Sequence, residues 1–365
     1  MSGANEPRKF WSALIVTCLS AGIGWSGGTP GHAAESQLWK VSGKLIGKPE
    51  NLEGSDSKKS KDVSGIACTA TSSYPRVCLV ADDETQGVQI VILEDGKLIA
   101  GDFVRLIDDT FDNTALELDA EGVAFADGFF YVIGSHGRPR HEDGKEDTAE
   151  IDARVKASSR IFRIRFASNA IDTKTGKLLD QPELTSSRLL TSISRLMPEL
   201  QPFVDKPLEE NGLTIEGVAV RDGTMYAGLR GPILTDHRAA ILSVPLGVLF
   251  DKKTGDATLL RPELEVDSFG YPRGVRDLLA FEGKLLVLAG PENDPPKGHR
   301  IQLGDYAIFS YDQKAHKLLD LKGYGSEIKP EALLPLSAID GKLCALLLFD
   351  GPEEGQPTPI GVELN

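Results

Sequence analysis

A small set of residues recurs at matching places along this chain and could bind a cation or move a proton. Ser64-Gly65-Ile66-Ala67, Glu121-Gly122-Val123-Ala124, Glu216-Gly217-Val218-Ala219, Arg276-Asp277-Leu278-Leu279 and Glu331-Ala332-Leu333-Leu334 open five similar stretches. Three glutamates gathered at equivalent positions repel one another and raise their own pKa values, so they need a cation, an arginine or shared protons. Ca²⁺ suits Ser64, Glu121, Glu216 and Glu331, because it takes several oxygen ligands in flexible geometry. Arg276 is the competing partner, since its planar guanidinium pairs with carboxylates. Glu121, Glu216 and His136 are the candidates for proton transfer or for positioning water. Arg138, Arg230, Arg276 and Asp277 are the candidates for holding a substrate, the arginines through an anionic group. Ser135-His136 lacks a surrounding Gly-x-Ser-x-Gly, and neighbours on a strand point to opposite faces, which argues against a nucleophilic triad.

The elements that position these residues follow from the same repeat. Asp127-Gly128, Asp222-Gly223, Glu282-Gly283 and Asp340-Gly341 each sit between two apolar runs, a strong hairpin signal. Further apolar runs, Val88–Leu93, Ile161–Phe166, Ala240–Val244 and Ala307–Tyr311, supply a third strand, and later turns lead to a fourth. The repeat length is roughly 55–60 residues, with one longer unit, which suits the blades of a β-propeller. The fold expected is all-β, a single propeller over residues 35–365, with five blades preferred and six as the alternative. A β-sandwich with similar hairpins is the competing architecture. The segment Leu38–Leu45 is expected to complete the last blade and close the ring. The long second unit holds a charge-dense stretch at 138–157, read as a surface loop, and a short helix near 187–200, where Leu189, Leu190, Ile193 and Leu196 fall at helical spacing. In a propeller the first strand of each blade lines the central channel, so the five motif positions should meet at one mouth.

The 365 residues carry a net charge of −14, which opposes binding to nucleic acid. Arg8 and Lys9, an apolar run from Phe10 to Ile23 and Gly31-His32-Ala33-Ala34 together read as a secretory signal over residues 1–34, with an uncleaved anchor as the alternative, placing the mature protein in the periplasm or outside the cell. No span across a membrane is expected in the mature chain. Cys68 and Cys78 flank one hairpin turn, so a cross-strand disulfide is expected if they stand opposite one another in an oxidising compartment. Cys344, in an apolar run, reads as a buried thiol.

Glu121-Gly122, Gly134-Ser135-His136, Ile215-Glu216-Gly217, Gly228-Leu229-Arg230-Gly231-Pro232, Gly274-Val275-Arg276-Asp277-Leu278 and Ala289-Gly290-Pro291 together resemble the bacterial family called domain of unknown function 3616. The resemblance covers Ser64 to Asp350 and implies a propeller-like protein without an assigned reaction. A fainter similarity is to the calcium-activated nucleotidases, five-bladed propellers with a central Ca²⁺. Ser64, Glu121, Glu216 and Glu331 fall at comparable positions, and Asp82-Asp83-Glu84-Thr85 looks like an Asp-Asp-Arg-Thr segment of that family. Arg276 departs from the pattern where a neutral ligand would stand. Two functions follow as expectations. One is hydrolysis of phosphate or other anionic esters at the channel mouth. The other is non-enzymatic binding of a small anionic ligand or a protein, with 138–157 as the recognition surface.

Overall fold

The computed structural model describes residues 38–49, 57–140, 147–293, 300–325 and 328–364. The segment read as a secretory signal and part of the charged stretch lie outside them. The chain folds as a five-bladed β-propeller. From the centre outward, blade 1 is Val63–Cys68, Arg76–Asp82, Gly87–Glu94 and Lys97–Arg105. Blade 2 is Ala120–Ala126, Phe129–Gly134, Ile161–Arg165 and Glu183–Ser187, and blade 3 is Thr214–Arg221, Thr224–Gly231, Ala240–Pro245 and Thr258–Leu260. Blade 4 is Arg273–Phe281, Lys284–Pro291, Ala307–Tyr311 and Ala315–Asp320, and blade 5 has three strands, Lys329–Ile339, Lys342–Asp350 and Thr358–Glu363.

The inner hairpins form as the turn chemistry dictates. Asp127 and Gly128, Asp222 and Gly223, Glu282 and Gly283, and Asp340 and Gly341 all have positive φ. Two consecutive positive φ values give the turn whose twist matches that of the flanking strands. The glycine of the repeated motif has a different purpose. A Cβ on Gly65 would fall 2.9 Å from the Val123 nitrogen, and one on Gly217 would fall 2.6 Å from the Leu278 nitrogen. Inner strands of successive blades therefore approach closely because those positions have no side chain. Apolar residues on the blade faces fill the space between neighbours, as where Leu79, Ile90, Val123 and Val132 pack together between blades 1 and 2.

The ring closes differently from the sequence-based expectation. Lys40–Ser42 pairs in parallel with the outer strand of blade 1, opposite Lys97–Ile99, and blade 5 keeps three strands. Lys40–Ser42 thus covers the Lys97–Ile99 end of that edge, and Trp39 packs near Tyr74 while its backbone N–H donates to the Pro357 carbonyl, just before the outer strand of blade 5, at 2.9 Å. The seam itself is held by backbone bonds, from Gly351 N–H to Lys61 O at 2.7 Å and from Glu354 N–H to Ser60 O at 2.7 Å.

The charged stretch read as a loop ends in a helix, α1, Thr148–Ser158. Asp147 caps it by accepting from the Ala149 N–H at 2.8 Å, and Ala149, Ala153 and Ala157 favour helix strongly. A second helix, α2, Leu189–Leu196, lies within the stretch expected to be helical, with Leu190 buried and Leu196 exposed. Cys68 and Cys78 stand directly opposite one another on adjacent strands and form a disulfide. Cys344 is buried in the same core cluster but is not a free thiol. Among the described residues, no helix is long and apolar enough to cross a membrane.

Candidate functional site

The five motif positions share one backbone feature. The pairing of the first two strands slips between Val63 and Gly65, Ala120 and Gly122, Ile215 and Gly217, Val275 and Asp277, and Pro330 and Ala332. The residue skipped each time is Ser64, Glu121, Glu216, Arg276 or Glu331. Each is the extra residue of a β-bulge, a device that re-aims a side chain and interrupts pairing.

Three of these five positions form a buried ion-pair chain. Arg276, 1% exposed, pairs through Nη1 with Glu216 Oε2 at 3.0 Å and through Nη2 with Glu331 Oε1. Glu216 Oε1 accepts from Arg230 Nη1 at 2.8 Å, and Arg230 Nε donates to the Glu292 carbonyl. Ser64 Oγ donates to the Ala120 carbonyl. Asp277 accepts from the N–H groups of Leu278 at 2.7 Å and Leu333 at 2.8 Å, joining blade 4 to blade 5. Burial pushes its carboxyl up to about 8. Arg276 and Asp277, candidates for substrate binding by sequence, are thus engaged inside the propeller and do not line the polar cavity.

That cavity, about 310 Å³, opens at the mouth where the inner strands begin. It brings Glu121, Glu216, Arg138 and Arg230 together, while Ser64 and Glu331 do not line it. Carboxylate oxygens of Asp83, Asp119 and Glu121 lie within 4.8 Å of one another. Burial is the first cause that holds all three carboxyls above their usual range: Asp119 reaches about 6, and Asp83 and Glu121 are pushed well above the ordinary carboxylate value. Mutual repulsion adds to this for Asp83 and Glu121, each of which feels the Asp119 charge. The hydroxyl of Ser135 donates to Asp119 Oδ2 and opposes the shift there. Asp119, not singled out from sequence, has positive φ, a conformation that Asp tolerates better than most residues. It stands two places before the motif glutamate; Asp62 occupies the same place before Ser64, but the other three blades carry Thr214, Gly274 and Lys329 there, so the repeated motif did not single it out.

His136 is buried and does not line the cavity, although Ser135 and Gly137 do. Its Nδ1 lies 2.8 Å from the Gly134 carbonyl, which places the ring proton on Nδ1, and burial pushes its pKa down to about 4. Three further cations line the cavity that the sequence did not single out: Arg140, Arg154 of α1 and Lys329. Lys329 pairs with Asp350 at 2.7 Å, and at the rim Lys48 bridges Glu84 at 2.9 Å and Glu117 at 3.2 Å.

At the other mouth a pocket of about 120 Å³ is lined largely by the apolar residues that follow the motif, among them Ile66, Val123, Val218, Leu278 and Leu333. The channel therefore runs from a charged mouth, past an ion-paired layer, to an apolar one.

A family model matches residues 66–358, and the chain belongs to that family, described as protein of unknown function (DUF3616). No curated protein matches it in sequence. Among solved structures it is similar to an exo-β-1,3-galactanase from Clostridium thermocellum, at 11% identity and TM-score 0.41, covering 88% of this chain and 62% of that one. It is also similar to an endo-arabinase from Bacteroides thetaiotaomicron, at 12% identity and TM-score 0.35, covering 79% of this chain and 89% of that one. The chain thus spans less than two thirds of the galactanase chain. Neither match supports the nucleotidase resemblance.

Proposed function

We propose that the protein is an exported hydrolase of phosphate or other anionic esters, working at the charged mouth with a divalent cation, Ca²⁺, held by Asp83, Asp119 and Glu121. The observation that carries this reading is the convergence of those three carboxylates in a cavity also lined by arginines. Carboxylates crowded and desolvated together gain most from a cation that takes all-oxygen ligands in flexible geometry. A cation there would act as a Lewis acid on an ester oxygen. Arg138 and Arg230 orient the anionic group, and Glu121 positions the attacking water. Glu216 holds Arg230 in place. His136, buried and outside the cavity lining, is assigned no role in the reaction. Among the described residues no aromatic side chain lines the cavity, so it offers no surface on which a sugar ring could stack. The apolar N-terminal run and the Cys68–Cys78 disulfide support export.

A second reading, a non-enzymatic binding protein, is favoured by the Arg276–Glu216 and Arg276–Glu331 pairs, which occupy the channel just where a central cation would otherwise sit.

Thermal unfolding after EDTA treatment, titrated with Ca²⁺, tests the cation site. A saturable rise in melting temperature is expected, and it should vanish in Glu121→Gln. No rise in the unaltered protein removes the cation from the reading. A rise without turnover in a screen of phosphoesters leaves the binding protein standing.

A further inference from the structure

We propose that Arg138 and Arg154, both supplied by the insertion of blade 2, form a subsite for a terminal tetrahedral oxyanion, a phosphate group, and that α1 is the element that selects it. This deepens the reading above and rests on it for the rest of the ligand. Part of the acidic lining is already neutralised by cations. Glu216 is paired with Arg230, Asp350 with Lys329 and Glu117 with Lys48. What remains of the acidic lining is the Asp83, Asp119 and Glu121 cluster. Arg138 and Arg154 line the same cavity, yet among the described residues neither forms an ion pair. Two guanidiniums kept beside carboxylates without pairing to them are complementary to a ligand that brings its own negative charge.

The backbone holds both in place. Arg154 lies one helical turn before Ser158, where α1 is anchored: Ala157 and Ser158 are buried, and Arg188 donates to the Lys156 carbonyl. A Cβ on Gly134 would fall 2.1 Å from the Ser158 carbonyl oxygen, so Gly134 is the residue that lets this end of α1 sit against the blade. That gives a structural purpose to the glycine of Gly134-Ser135-His136. Arg138 is fixed by a backbone bridge to Pro207. Two forks can engage different oxygens of one tetrahedral dianion, whereas a carboxylate saturates a single fork.

The test is isothermal titration of the EDTA-treated protein with inorganic phosphate, with acetate as comparison. Saturable phosphate binding is expected, weakened about tenfold or more in Arg154→Gln and in Arg138→Gln, with partial recovery in Arg154→Lys. Acetate should bind more weakly than phosphate. Melting temperatures close to that of the unaltered protein would show that the variants fold. Phosphate affinity equal in Arg154→Gln and the unaltered protein, or no saturable binding at all, overturns the proposal. Phosphate binding that needs both arginines, in a protein that cleaves no ester with Ca²⁺ present, sinks the hydrolase and leaves the subsite. Ester cleavage with an unchanged KM in Arg154→Gln sinks the subsite and leaves the hydrolase.

Discussion

The two mouths of the channel are built from the same five strands, two residues apart, yet they are chemical opposites. The bulged residue of each motif is Ser64, Glu121, Glu216, Arg276 or Glu331; the residue two places on is Ile66, Val123, Val218, Leu278 or Leu333. Alternation along a strand would place both on one face. Residues two apart stand at different levels along the strand, and the bulge re-aims the first of them, so polar and apolar side chains line different levels of one tube. At the charged mouth, burial more than any one neighbour raises the carboxyls of Asp83, Asp119 and Glu121.

The largest effect that would break this contrast comes from its boundary. Arg276→Met leaves Glu331 buried without its guanidinium partner. Stranding one member of a buried pair costs about 3–5 kcal/mol. Urea unfolding should show a loss of that size, and Arg276→Met combined with Glu331→Gln should recover part of it. A loss too small to measure would mean that solvent reaches this layer and the boundary is not dry.

The apolar mouth should respond next. Leu278, 1% exposed, both lines that pocket and packs in the core between blades 3 and 4. Leu278→Ala is expected to cost about 2–5 kcal/mol, depending on how far the site collapses. It should leave phosphate affinity at the charged mouth unchanged, because nothing at the lower level touches the insertion arginines. A shift in phosphate affinity would show that the two mouths are mechanically linked.

The sequence revealed different levels of this contrast unequally. Blades were legible because Asp-Gly turns and a repeated motif encode them locally, and because a hairpin turn must use residues that accept positive φ. The bulges were not, since a skipped ladder position leaves no mark on composition. Without them the glutamates look equivalent, when Glu121 joins a carboxylate cluster and Glu216 and Glu331 join an arginine. The pairing of Arg276 with glutamates was one of two readings open from its type alone. Asp119 and Arg154 were missed for another reason: one stands two places before the motif, where Asp62 alone among the other blades matches it, and the other lies in an insertion whose charge masked the alanine spacing of a helix. Site residues that lie outside the repeated motif must be read from the fold.

The smallest effect separates the two levels by pH. The folded pKa of Asp119, about 6, lies above the ordinary Asp value near 4, with burial as the first cause. The folded state therefore binds more protons than the unfolded one within that interval. The stability linked to Asp119 is fully present below about pH 4 and is lost as pH rises through about 6. Asp277, held at about 8 by burial, has the same sign but extends the loss to higher pH. In EDTA the melting temperature should fall as pH rises across both windows. Asp119→Asn should flatten the lower part and Asp277→Asn the upper part. Ca²⁺ should reverse only the share that belongs to the charged mouth, since a bound cation favours the ionised carboxylates of Asp83, Asp119 and Glu121 and has no ligand set at Asp277. If Ca²⁺ moved both windows equally, its stabilising effect would have to arise elsewhere than in the carboxylate cluster.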